Sequence, residues 1–249
     1  LGDEDTASHI TNQTLYRHGQ HLLSAARLEL LYCGSADSGR VEEALLNAFA
    51  ALPRGETEAL PDMQTYPAPE QPRVVTETMD VTQGKLSMGF RCQSDDVPAM
   101  ILANLIFGGS SNSKLFLNVR EKLSLCYYAS SSYARSKKLL TVSSGIETKD
   151  YQRAYDEILH QLSQVQQGNW EEWEFTGAKS TMLNALRSMD DSQGALENYY
   201  LGQAATGLSD SPQEMMEAIT AVTPQRVQEA ARTIALDTVY FLKGKEDAE

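Results

Sequence analysis

Apolar positions along this chain follow two rhythms. Val41, Ala44, Leu45, Ala48 and Leu52 recur at helical steps, so they share one helix face, which Pro53, Arg54 and Gly55 bring to an end. From Gly55 to Arg73 the rhythm stops, because Pro61, Pro67, Pro69 and Pro72 impose an extended polar connector, the predicted linker. Residues 73–79 and 85–91 read as strands around the turn residues Asp80 and Gly84. Asp95 and Asp96 then open a helix that is apolar at Ala99, Leu102, Ala103 and Ile106 and is stopped by Gly108. Residues 125–133 and 139–146 make a hairpin, and after Asp150 the chain is mainly helical as far as Ala235. Strands first, helices later and one closing strand predict an α+β fold, with a largely antiparallel sheet backed by helices.

One pattern occurs twice. The stretch from Ile10-Thr11-Asn12-Gln13 to Leu28-Glu29-Leu30-Leu31-Tyr32-Cys33-Gly34 is echoed by Val222-Thr223-Pro224-Gln225 to Thr238-Val239-Tyr240-Phe241-Leu242-Lys243-Gly244. Each reads as cap, helix, strand and glycine. Thr11 and Thr223 suit the N-cap, Pro224 suits the first helical turn, and the apolar runs are predicted to be buried strands. The copies stand about 210 positions apart, on the scale of a whole α/β domain.

Charge removes one class of function. A net charge of −13 and no basic cluster beyond Lys137-Lys138 argue against a nucleic-acid partner and favour neutral or basic peptides. Cys33, Cys92 and Cys126 are odd in number and widely spaced, which fits neither a disulfide framework nor a CxxC zinc site and predicts a reduced, cytoplasmic setting. No apolar run reaches the roughly 18–20 residues of a membrane span. The start, LGDEDTASH, is acidic where a signal peptide would be basic and then apolar, and it lacks an initiator Met, so a fragment of a longer polypeptide is expected.

The most chemically pointed segment is FGGSSNSKLFLNVREKLSLCYYASSSY, residues 107–133. A glycine/serine loop feeds a short helix with Arg120 in its last turn, where a cation suits the helix dipole, and the returning strand carries Tyr127. A guanidinium and a phenol aimed at one spot can hold a carbonyl oxygen whose negative charge grows during attack. The string Gly108-Gly109, Ser113-Lys114-Leu115, Arg120-Glu121 and Leu125-Cys126-Tyr127 resembles the second-domain signature of the pitrilysin/insulinase-type zinc metallopeptidases, which include the mitochondrial processing peptidase. The details lean towards the bacterial non-catalytic partner type.

That resemblance implies a pitrilysin/LuxS-metallohydrolase-like domain and gives Arg120 and Tyr127 the role of holding substrate and steadying the tetrahedral intermediate. It assigns Gly108, Gly109, Ser110 and Ser113 to substrate handling, by analogy with the glycine-rich loop of the processing peptidase's non-catalytic subunit. Residues 1–60 would be the trailing helix–strand–helix of a preceding, missing domain plus linker, and residues 61–249 a complete C-terminal domain. No metal ligand is assigned to this chain, since the family's His-x-x-Glu-His is absent and His18-Gly19-Gln20-His21 has neither a glutamate before His21 nor a third ligand. Zinc is expected in the missing half or in a homologous zinc-bearing subunit, with a peptide or protein as substrate and no peptidase activity in this chain alone. The competing class is a scaffold subunit resembling the core proteins of the respiratory bc complex.

The glycine/serine loop does not match a phosphate-binding GxxxxGK[ST] sequence. Trp170, Trp173, Tyr199 and Tyr200 are predicted to pack in the core or between helices.

Overall fold

The computed structural model describes residues 2–58 and 65–245. Part of the predicted linker, including Pro61, lies outside the described residues. The chain divides into two compact units, Leu1–Asp62 with Asp191–Ser209, and Met63–Asp190 with Asp210–Glu249.

The second unit is built on β1 (Arg73–Met79), β2 (Gly84–Cys92), β3 (Cys126–Ala134), β4 (Leu139–Ile146) and β5 (Ile234–Gly244). Their order is β1-β5-β2-β4-β3. Only β1 with β5 is parallel; β5 with β2, β2 with β4 and β4 with β3 are antiparallel, so the predicted α+β class holds. The sequence neighbours β1 and β2 do not pair, because β5 lies between them.

Alternation along the strands separates two faces. On β2, Leu86, Met88, Phe90 and Cys92 are fully buried, whereas Ser87, Gly89 and Arg91 between them are only partly covered. The buried side meets a helical layer: α4 (Val97–Asn104), α5 (Tyr151–Gln167), α6 (Glu172–Arg187), α8 (Pro212–Thr220) and α9 (Pro224–Ala231). These helices contribute Ala99, Leu102, Ile158, Leu186, Ile219 and Val227 to the core. The register aligns Ser87, Ser143 and Ser130 across three strands on the opposite face, which no helix of this unit's core covers. A row of small hydroxyl side chains suits water, not a second apolar layer.

Polar contacts fix the layer's edges. Asp96 caps α4 by accepting from the N–H of Ala99, and its carboxylate takes two hydrogen bonds from Arg226 on α9 at 2.8 and 2.9 Å. A planar fork on a carboxylate sets orientation as well as distance. Arg91 donates to Asp237 at 2.8 Å, tying β2 to β5 across the sheet.

The first unit contains α1 (Glu4–Ser8), α2 (Asn12–Ala25), α3 (Ser38–Ala50) and α7 (Gln193–Thr206). Thr11 caps α2 in a reciprocal capping box with Thr14, as its sequence position predicts. Residues 28–33, predicted as a buried strand, are corrected by the structure. They carry no strand, and Leu28, Leu30, Leu31 and Tyr32 are exposed. The physical reason is that a strand exists only through its partners, and no described strand runs beside this one. Trp173 and Tyr200 also depart from their predicted packing roles, both being exposed. Each sits on a helix face turned to solvent, and Tyr200 meets the Tyr199 ring edge-on at 5.6 Å. Among the described residues, no helix is long and apolar enough to cross a membrane.

Candidate functional site

The segment from Leu105 to Lys122 departs from ordinary helix. Leu105–Gly109 continues α4 as a π-helical turn, and Leu115–Lys122 forms a second π-helical stretch after the glycine/serine loop. Such wide turns are rare and concentrate at functional positions. The loop's glycines are needed for close approach. A Cβ on Gly108 would lie 2.6 Å from Leu115 Cδ1 and 2.9 Å from the Ser131 backbone nitrogen, and one on Gly109 would lie 2.5 Å from Asn104 Nδ2. Asn104 in turn accepts a 2.7 Å hydrogen bond from the Ser131 hydroxyl, pinning the helix end to β3.

A polar network supports the second π stretch from beneath. Lys114 and Glu174, both nearly buried, pair at 3.0 Å, so the loop is fastened to the start of α6. Asn118 donates to the Lys114 carbonyl and to Gln161 on α5, at 3.1 and 3.0 Å. Buried ion pairs and amides of this kind orient an element more than they stabilise it. Ser113 belongs to this support. It is fully buried, its hydroxyl accepts from the N–H of Phe116, and it lines none of the grooves described below.

Arg120 emerges from the last turn of this stretch, half exposed. Its guanidinium lies over the Phe116 ring at 4.7 Å and stands 3.5 Å from Glu121. The aromatic face holds a cation in place without neutralising it. The chain then reverses through Ser124, whose φ of 50° is left-handed. This conformation is unusual for a non-glycine residue and costs strain, which a tight helix-to-strand reversal requires here.

Tyr127 arrives on β3 with a second irregularity. Cys126 pairs with Ile146 and Tyr128 with Gly145, so Tyr127 is an extra residue with no partner opposite. A bulge of this kind re-aims a side chain out of the pleat, and Tyr127 is accordingly 64% exposed. Arg120 and Tyr127 line one groove of roughly 430 Å³, together with Glu121, Cys126, Glu147 and Asp150. An adjoining groove of roughly 650 Å³ shares Tyr127 and Glu147 and adds Gln83 and Lys149. Lys149 pairs with Glu147 at 2.6 Å, and that hydrogen bond and charge push the ammonium pKa up. Burial pushes the Cys126 thiol up, against the opposing pull of Arg120. It is therefore no ready nucleophile.

The structure brings Arg120 and Tyr127 to one groove. A second groove joins Arg120 to Gly108, Gly109 and Ser110. Sequence reasoning missed Phe116, although its position four residues before Arg120 is the signal for a shared helix face. It also missed Glu147 and Lys149, which arrive from the far end of β4 and have no local signature. What the site can do chemically is donate: a cation and a phenolic O–H aimed at an oxygen. It does not fit a metal, since no imidazole lines these grooves and, among the described residues, no group of three His, Cys, Asp or Glu could hold an ion.

A five-stranded sheet with helices on one face and an Arg/Tyr groove without metal ligands defines a peptidase-like α+β domain of the non-catalytic kind. Two solved structures share the fold. A conserved protein from Enterococcus faecalis V583 superposes with a TM-score of 0.84 at 28% identity, over 100% of this chain and 59% of that one. A peptidase M16 inactive domain from Pseudomonas fluorescens does so at 0.73 and 17% identity, over 98% and 60%. The chain belongs to the family described as the Peptidase M16 inactive domain, which matches residues 9–182. The resemblance to zinc metallopeptidases carried by residues 108–127 therefore holds at family level. A relative from Bacillus subtilis (strain 168), named "Probable inactive metalloprotease YmfF", is 35% identical over 99% of this chain. The chain spans 58% of that relative's length.

Proposed function

We propose that this chain is the substrate-holding half of an M16-type peptidase chamber. Arg120 and Tyr127 bind a peptide carbonyl and stabilise the oxyanion that forms on it, while Gly108, Gly109 and Ser110 border the path of the peptide. Zinc, held by another domain or by a homologous subunit, supplies the activated water. In this reading residues 1–60 close a preceding domain and the protein works in the cytoplasm, a placement supported by three free cysteines.

The observation that carries the proposal is the convergence of Arg120 and Tyr127 on one groove through two local irregularities, the left-handed Ser124 and the bulge at Tyr127. An ordinary reversal would require neither. The hydroxyl-lined free face of the sheet supports it as well, since a wet wall suits a chamber through which peptides pass.

The test is to combine the chain with its zinc-bearing partner and measure peptide cleavage in Arg120→Ala and Tyr127→Phe variants. Loss of one oxyanion donor predicts a turnover about 10²–10³-fold lower with assembly intact. Unchanged turnover, or a complex that never cleaves, favours the second reading: a structural subunit that keeps the fold without the chemistry, like the respiratory core proteins. The word "inactive" in the name of the Bacillus subtilis relative is the observation on that side.

A further inference from the structure

β3 is an end strand: β4 takes one of its edges, and no described strand takes the other. Beside that edge runs a groove of roughly 350 Å³, bounded by residues 128–131 of β3, by the turn 108–111, and by Phe116 and Arg120. Successive side chains on a strand point to opposite faces. A cavity that touches four consecutive residues therefore runs along the main-chain edge, not along one row of side chains. Arg120 lines this groove and the one holding Tyr127, so the two are continuous.

We propose that this groove takes an extended peptide as an added strand on β3, placing the peptide's next carbonyl before Arg120 and Tyr127. This rests on the reading of those two residues as peptide-holding groups and gives it a binding mode. The outward N–H and C=O groups of an end strand alternate, and another extended main chain is the partner that matches them. Glycine and serine dominate both walls, at 108–111 and at Ser130 and Ser131, which leaves room for side chains of many sizes. Recognition by backbone with little sequence preference follows. The turn 108–111 stands beside the edge and leaves width for one strand, which disfavours a second sheet from another copy. A net charge of −13 disfavours a nucleic-acid strand.

The experiment uses the whole 249-residue chain and an octapeptide of alternating valine and serine, together with versions N-methylated at one amide at a time. Strand addition predicts that alternate amides among residues 128–131 exchange with solvent at least about tenfold more slowly when peptide binds. Methylation at every second peptide amide weakens the Kd about tenfold, near 1.4 kcal/mol, and the intervening positions change it little. Failure to bind, bound peptide with unchanged exchange at 128–131, or indifference to methylation overturns the inference. So does slowing that rises with protein concentration in the absence of peptide, the sign of a β3-to-β3 dimer. The two readings fail separately. Binding that needs Arg120 and Tyr127 but ignores methylation removes only the added strand, whereas slowed β3 amides with wild-type affinity in Arg120→Ala and Tyr127→Phe remove only their role.

Discussion

The two copies of the cap–helix–apolar pattern meet different fates. Thr223, α9 and β5 end in the middle of the sheet, with β1 on one side and β2 on the other. Thr11, α2 and residues 28–33 begin in the same way, yet the apolar run lies exposed with no ladder of its own. The caps behave alike, since each threonine accepts from the N–H three residues on. What differs is the company the run finds. Helix and cap are decided within a few residues, whereas a strand is decided by what lies beside it.

The sharpest challenge to this contrast substitutes equivalent positions in the two runs. Phe241 is 5% exposed and packs against Tyr151 with ring centroids 4.5 Å apart, while Leu31, its counterpart in the repeat, is 39% exposed. Phe241→Ala is expected to destabilise the second unit by about 3–5 kcal/mol in denaturant unfolding. Leu31→Ala should cost less than about 1 kcal/mol. Equal losses would mean that residues 28–33 are structured after all.

A smaller effect comes from acid. Burial pushes the Asp96 carboxyl up, but the hydrogen bonds from Arg226 and from the N–H of Ala99 outweigh it, and the net shift is downward. A depressed carboxylate contributes stability above its unfolded value, near ~3.9, and loses that contribution as pH falls through the folded value. Asp96→Asn should therefore flatten the acid limb of the second unit's stability curve. At neutral pH it should cost about 1–2 kcal/mol, because the pair is partly solvated. An unchanged acid limb would show that the α4–α9 tie contributes nothing.

The mildest probe is thiol labelling, which compares Cys33, at the end of the first run, with Cys92 at the end of β2. Cys92 is fully buried, and burial pushes its pKa up to about 12. Cys33 is partly exposed. A neutral alkylating reagent should modify Cys33 in the folded chain and Cys92 only at the rate of unfolding. Rapid labelling of Cys92 would place the end of β2 outside the core.

Much of the second unit was legible because its signals are local. The runs 73–79, 85–91, 125–133 and 139–146 fall on β1 to β4 within a residue or two, and Asp96 caps α4 as its position predicts. The strand order was not legible, because the entry of β5 between β1 and β2 depends on contacts between distant parts of the chain. Arg120 and Tyr127 were singled out by motif and spacing. The π-helical turns and the bulge that turn both side chains to one groove have no composition of their own and arise from how α4 and β3 are pressed together at Gly108. Ser113 shows the opposite error: a loop serine that looks available in the sequence is sealed inside.

The insertion of β5 between β1 and β2 has a consequence for synthesis. Both of its neighbours leave the ribosome early, but the gap between them cannot close until everything from α4 to α9 has been made. During translation β1 has nowhere to dock, and the inner edge of β2 stays open. The nascent unit must wait with two raw edges, so a stalled or shortened product lacking residues 234–244 would be a natural client for chaperones and proteases.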